Sequence, residues 1–258
     1  MGPLAQSGRA AATPGFNRFD STASYEAHVA NLKARSSDTK AALEQAIGGE
    51  FDAFGRMERD LLISLGLGSD SYVIDVGCGA GRLARPLSAY LLDGRYFGLD
   101  VVPELVAHAA AIAARPGWRF ETAAGLSIDE EAARADFVCF FSVFTHLLHE
   151  ESYTYLAEAK RVLKPGGAIV FSFLEFEIYS HWAVFEENLR NIGSRHHLNQ
   201  FMSRDGIHAW AHHLGLRVEA LFDGDKPHIP LTEPLVLDNG TRVEKLGNLG
   251  QSVCVMRS

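Results

Sequence analysis

Short apolar runs alternate with helix-period segments through the middle of this chain. Tyr72 to Val76, Arg95 to Asp100, Trp118 to Thr122, Asp136 to Phe141 and Ala168 to Leu174 each read as a strand. Between them Gly81 to Leu91, Pro103 to Ala114 and Glu150 to Val162 read as helices. Pro86 lies near the first turn of one helix and Pro103 opens another, positions where a missing N–H is tolerated. Such alternation predicts an α/β fold, a parallel sheet doubly wound by right-handed crossovers. Ligands of these sheets bind at the carboxyl ends of the strands, where Asp75, Asp100 and Ser142 fall.

On either side the pattern changes. Residues 1–20 mix Gly, Pro, Ala and Ser without a period and are expected to form a mobile arm. Val29, Leu32, Leu43 and Ile47 recur at helical intervals between Ser24 and Ile47, and Gly48-Gly49 breaks that segment. A second helix is predicted from Phe54 to Leu65, ending at Gly66. Together, residues 21–66 are expected to be a helical extension or lid before a domain spanning 67–258. Within it, the charged run Arg56-Met-Glu-Arg-Asp60 reads as a solvated helix face.

Beyond the fifth strand, residues 175–200 are aromatic- and histidine-rich with no clean period, an insertion. Arg204 to Leu214 reads as a helix, Leu216 to Phe222 as a sixth strand and Gln251 to Met256 as a seventh. The stretch 223–250 is longer than an ordinary connection and holds Pro227, Pro230 and Pro234. It is expected to be an ordered extension or the contact of a homodimer.

The first strand runs into Asp75-Val-Gly-Cys-Gly-Ala-Gly81, and the second ends in Asp100. The glycines permit a tight turn and a close approach to a ligand, and the later acid is placed to accept hydrogen bonds from a ribose. A nucleoside-containing cofactor follows. A dinucleotide would set its pyrophosphate against this turn, where Asp75 would repel it. The spacing Gly77-x-Gly79-x-Gly81 also departs from the dinucleotide pattern. S-adenosylmethionine, with a sulfonium, an ammonium and no phosphate, suits an acid at this place.

Composition narrows the partner. The 258 residues carry a formal charge of −8 and no lysine or arginine cluster, which argues against a nucleic-acid acceptor. No apolar run approaches the roughly twenty residues that span a bilayer, and the N-terminus does not read as a signal peptide. Three widely spaced cysteines make neither a disulfide framework nor a zinc pattern, consistent with a reducing cytoplasm. A cytoplasmic protein with a small-molecule acceptor is expected, without membrane or nucleic acid.

Four motifs in order now resemble the class I S-adenosylmethionine-dependent methyltransferases: Asp75 to Gly81, Tyr96-Phe-Gly-Leu-Asp-Val-Val102, Ser142-Val-Phe-Thr-His146, and Leu163-Lys-Pro-Gly-Gly167. The resemblance covers Leu61 to Phe173 well and the rest loosely. It implies a seven-stranded, mostly parallel, Rossmann-like sheet whose last strand is antiparallel. It further implies cofactor contacts from Asp75, Gly77, Cys78, Gly79, Gly81 and Arg82. Asp100, Val101 and Ser142 would join them, with Gly125 and Leu126 near the adenine, since Glu121-Thr-Ala-Ala-Gly125 lacks the usual acid after the third strand.

Methyl transfer is an in-line displacement whose leaving thioether needs no proton, so the protein's work is mainly positioning. A hydroxyl acceptor also gains from a base. His146 is the first candidate, at the methyl end in the resemblance, with a cofactor-packing histidine as the bland alternative. His149 and then His181 follow, and Trp182, Phe176 and Phe185 either line an acceptor pocket or fill the core. Tyr25 reads as a surface tyrosine, with closure over the cofactor as the alternative. His208, His212 and His213, with His196-His197, lack the carboxylate of a zinc motif, and no metal is expected. The function expected is S-adenosylmethionine-dependent methyl transfer in biosynthesis, to a hydroxyl oxygen of a natural product or sugar. The alternatives are a small-molecule N-methyltransferase, a non-catalytic S-adenosylmethionine-binding protein, and a nicotinamide-dependent oxidoreductase.

Overall fold

The computed structural model of the chain describes residues 21–36, 38–191 and 198–258. The expected N-terminal arm and the His196-His197 pair lie outside the described residues. Seven strands form the main sheet: β1 (Tyr72–Val76), β2 (Arg95–Asp100), β3 (Arg119–Thr122), β4 (Ala135–Phe140), β5 (Leu163–Phe173), β6 (Arg217–Phe222) and β7 (Ser252–Arg257). Their order is β3-β2-β1-β4-β5-β7-β6. β1 to β5 pair in parallel, and β7 inserts antiparallel between β5 and β6. The order reverses between β1 and β4, so a crevice opens at the carboxyl ends of those strands.

Strand periodicity explains why both faces are covered. Tyr72, Ile74 and Val76 point into one apolar layer with Val138 and Phe140, whereas Val73, Phe137 and Cys139 point into the other. Strands apolar on both faces need helices on both. α4 (Ala84–Tyr90), α5 (Pro103–Ala113), α6 (His149–Val162) and α8 (Arg204–Leu214) surround the sheet, with α7 (Tyr179–Arg190) inside the predicted insertion.

Several boundaries differ from those expected. β5 starts at Leu163 because that residue still pairs with Ala135 of β4; residues 164–167 then bulge out of the ladder before Ala168 pairs with Phe137. α4 starts at Ala84, since Gly81 to Leu83 still belong to the turn. The segment read as one helix before Gly48 is two, α1 (Ser21–Arg35) and α2 (Thr39–Ala46). Asp38 separates them, its carboxylate accepting the N–H groups of Lys40 and Ala41 as an N-cap.

The largest correction concerns α3 (Phe51–Ser64). Its charged run is not a solvated face: Glu58 and Asp60 are each 1% exposed. Met57, Leu61 and Leu62 share the apolar layer that covers β1 and β4. The 223–250 segment packs on this helix through two short ribbons, Ile229–Pro230 with Leu246–Gly247 and Leu235–Val236 with Arg242–Val243. Asp60 accepts the Thr232 N–H at 2.9 Å, and Ile229 and Leu235 are buried. The order of this extension is therefore explained within one chain.

Candidate functional site

A cavity of about 510 Å³ lies where the sheet order reverses. Its floor is the glycine turn and the ends of β1, β2 and β4. At Gly77, φ is +76°, and a Cβ there would come within 2.3 Å of Val143 Cγ2. Only glycine admits both that conformation and that approach. Ser142, just past β4, holds φ +60°, a sparsely populated conformation for a residue with a side chain. Its N–H donates to Ser172 Oγ at 2.7 Å, which fixes the turn after the strand.

Two aspartates project into this floor. Asp75 Oδ2 accepts the Tyr96 hydroxyl at 2.5 Å, and both groups are buried. Burial pushes the Asp75 carboxyl up to about 7; the Tyr96 hydrogen bond opposes the rise, and the neighbouring Glu58 charge adds to it. Asp100 Oδ2 accepts the Gly79 N–H at 2.9 Å and Oδ1 the Val102 N–H at 3.0 Å. Burial raises this carboxyl to about 6 against those backbone donors. Each oxygen keeps acceptor capacity for a ribose hydroxyl. Cys78 is buried between the aspartates, and burial first, then their charges, raises its thiol far above the ordinary range. A thiol so raised carries little thiolate and serves to pack the turn.

The roof comes from residues before the sheet. Tyr25, His28 and Leu32 of α1 line the cavity, as do Ala46 to Gly48 after α2 and Glu58 of α3. Tyr25 is thus a lining residue rather than a surface one. Its hydroxyl donates to Ala46 O at 3.2 Å, and its ring centroid lies 5.9 Å from that of His146. Burial, then the Asp100 charge, pushes the phenol upward, so it stays protonated. Arg82 joins roof to floor, donating to Ile47 O at 3.1 Å and pairing with Glu58 at 2.5 Å.

The predicted residues therefore divide. Asp75, Gly77, Cys78, Gly79, Arg82, Asp100, Val101, Ser142 and His146 line the cavity. Gly81 lies behind the turn, where a Cβ would meet Ala109 Cα at 2.8 Å; it lets α5 approach. Gly125 and Leu126 are outside the lining. Gly125 O accepts the hydroxyl of Tyr155, which itself lines the cavity with Ala123.

The three histidines also separate. His146, in a 3-10 turn (Phe144–His146), has Nδ1 2.8 Å from Leu198 O, a carbonyl that can only accept, so Nδ1 carries a proton. His149 lies outside the cavity, its Nε2 2.9 Å from both Phe201 O and the Gln200 amide nitrogen. His181 is 1% exposed; Nδ1 accepts the Glu175 N–H and Nε2 donates to Gly250 O, a structural use of both nitrogens. Phe176, Phe185 and Phe201 pack with Trp182 into an aromatic cluster apart from the cavity lining. Among the described residues no group of His, Cys, Asp or Glu could hold a metal ion. None of the described helices is long and apolar enough to cross a membrane.

Comparison with known proteins meets the same region. A family profile described as a methyltransferase domain matches residues 73–167, from β1 into the start of β5. A malonyl-[acyl-carrier protein] O-methyltransferase of Hahella chejuensis is 28% identical over 67% of this chain and 62% of its own length. Residues 73–167 thus match a methyltransferase domain, and the chain is similar to known methyltransferases. A ubiquinone biosynthesis O-methyltransferase of Cereibacter sphaeroides is 32% identical over 51% of this chain. The chain spans 62% and 50% of the length of these two relatives. An S-adenosylmethionine-dependent methyltransferase structure from Methanosarcina mazei has a TM-score of 0.56 at 15% identity, covering 76% of this chain and 96% of that one. That likeness is of fold.

The cavity fits S-adenosylmethionine as the methyl donor. Glu58, Asp75 and Asp100 face it against one guanidinium, Arg82. Burial raises all three carboxyls, and once ionised they outnumber the one guanidinium, an excess of negative charge that suits a sulfonium and opposes a pyrophosphate.

Proposed function

We propose that this methyltransferase transfers a methyl group from S-adenosylmethionine to a hydroxyl oxygen of a small molecule, in the chemical range of natural products and sugars. The observation that carries the reading is the juxtaposition of the acid-lined floor with His146 in one cavity. Bound there, the donor supplies an electrophilic methyl group on a positively charged sulfur. Asp100 holds the ribose end, Asp75 and the glycine turn hold the charged end, and Ser142 and His146 face the region beyond.

His146 acts as the base. Its Nδ1–H is held by Leu198 O, which orients Nε2 as the acceptor of a hydroxyl proton. Oxygen as the acceptor atom is supported by two relatives named as O-methyltransferases. A small acceptor is supported by a cavity of about 510 Å³ and by the net charge of −8, which disfavours a polyanion.

Calorimetry and a methyl-transfer assay across a panel of small hydroxylated acceptors test this reading. Asp100→Ala should weaken donor binding about 10- to 100-fold, the range for hydrogen bonds to a charged group. His146→Ala should leave donor binding within about twofold and lower turnover about 100-fold or more, as loss of a general base does. Full activity of the His146 variant at saturating substrates would remove it from the reaction.

A further inference from the structure

Among the described lining residues, Glu58 is the one carboxylate outside the matched domain. It lies on α3, outside residues 73–167, yet it is 1% exposed and lines the cavity. Its Oε1 sits 2.5 Å from Arg82 Nη2, an ion pair without a well-directed hydrogen bond. Arg82 has a separate structural role, because it donates to Ile47 O and so pins the turn after α2 to the floor. That role leaves a guanidinium inside a pocket suited to a cation. Among the described lining residues it is the only lysine or arginine.

We propose that Glu58 is a specificity-determining residue of the donor site: it cancels the charge of Arg82, so that Asp75 and Asp100 select the cationic donor over its neutral thioether product. The inference rests on the methyl-donor reading above. At neutral pH S-adenosylmethionine carries sulfonium, ammonium and carboxylate, one net positive charge. S-adenosylhomocysteine has lost the sulfonium charge and is neutral overall. Apart from the methyl group and its charge the two ligands are the same, so the difference in their affinities reads the potential at the sulfur. With the pair neutral, two carboxylates set that potential. Without Glu58, the guanidinium offsets one of them.

α3 is built to place this carboxylate. A Cβ on Gly55 would lie 2.2 Å from Arg82 O, so the helix can approach the Arg82 backbone only because residue 55 is glycine. Phe54, one residue earlier, has its ring centroid 6.0 Å from the Arg82 guanidinium carbon. The pair is thereby held in a buried site, where an uncancelled charge acts strongly.

Calorimetry at pH 8 with three ligands tests the proposal: S-adenosylmethionine, S-adenosylhomocysteine, and sinefungin, which bears an amine in place of the sulfonium. The wild-type chain should bind both cations about tenfold tighter than the thioether. Glu58→Gln should weaken both cations about tenfold and the thioether less than about threefold, collapsing the ratio. The double variant Glu58→Gln/Arg82→Met removes the pair together, and its ratio should return to within about threefold of wild type. It also guards against misfolding, because loss of one partner strands a buried charge whereas loss of both does not.

A wild-type chain that binds the thioether as tightly as the cations overturns the proposal without any variant. So does an unchanged ratio in Glu58→Gln, or a double variant as unselective as the single one. If the wild-type chain binds none of the three, it is the methyl-donor reading that fails. If it binds all three without discrimination, only the role of Glu58 fails.

Discussion

The floor and the roof of the cavity are made by different means. The floor, from Val73 to Asp100, is one local pattern: strand, glycine turn, and second strand in parallel register, Asp75 opposite Gly98. The roof gathers α1, the turn after α2, and α3 from residues up to 78 positions before Asp100 in the chain, using long-range pairs such as Arg82 with Ile47 O. A floor of this kind positions a ligand by backbone. A roof of this kind tunes it by side-chain charge. The comparison predicts that roof substitutions alter affinity and selectivity through packing and electrostatics, with the sheet left intact.

The largest effect is expected at Gly55. Adding a Cβ at 2.2 Å from a backbone oxygen cannot be relieved by a side-chain rotation, so α3 must move away from the turn. Gly55→Ala should cost about 3 kcal/mol or more of stability, at the upper end for overpacking. It should also lower donor affinity by withdrawing Glu58. Thermal melting and calorimetry measure both. A variant as stable as wild type, with unchanged donor affinity, would show that the roof is not rigidly seated on the floor.

A second, smaller effect is a dependence on pH that separates the empty floor from the filled one. The carboxyls of Asp75 and Asp100 lie at about 7 and about 6, above their ordinary value of 3.8. The folded chain therefore holds more protons than the unfolded chain between those limits, and these groups make the empty protein less stable as pH rises from about 4 to 7. A cationic donor binds the ionised forms. Its affinity should increase about tenfold from about pH 5.5 to about pH 8, and the thermal stabilisation it confers should grow over the same range. A donor affinity flat across this window would mean that neither aspartate changes charge on binding.

How much of this was legible in the chain follows from the same contrast. The floor was readable because its determinants are neighbours in sequence: glycines at fixed spacing, apolar runs of strand length, an acid at each strand end. The roof was not, because Glu58 and Tyr25 meet the floor only through tertiary packing. Yet α3 carried a signal that the charged run obscured. Phe54, Met57, Glu58, Leu61, Leu62 and Leu65 fall at i, i+3, i+4, i+7, i+8 and i+11, so Glu58 sits within the apolar stripe. A charge in such a stripe is buried and needs a partner. Gly55, inside an otherwise strong helix, marked the close approach. His181 misled for the opposite reason. Its neighbourhood of aromatics suggested a pocket, whereas two backbone partners, Glu175 and Gly250, consume both ring nitrogens. Gly250 stands 69 positions from it, beyond any local pattern.

The smallest effect sharpens where roof meets site. Tyr25 ties α1 to α2 by one hydrogen bond to Ala46 O at 3.2 Å, while its ring stands between His28 and His146, with centroids 6.0 and 5.9 Å away. Tyr25→Phe removes the hydroxyl and keeps the ring. One neutral hydrogen bond contributes about 1 kcal/mol, so donor affinity should fall no more than about fivefold, with turnover at saturating substrates unchanged. Tyr25→Ala removes the ring as well and should raise the acceptor KM further. The phenol is held protonated by burial, so it is no base near neutral pH. Steady-state kinetics of the two variants separate these contributions. A Tyr25→Phe enzyme with kcat lowered about 100-fold, the scale of a lost acid–base group, would place the hydroxyl in the chemistry and displace His146 as the sole base.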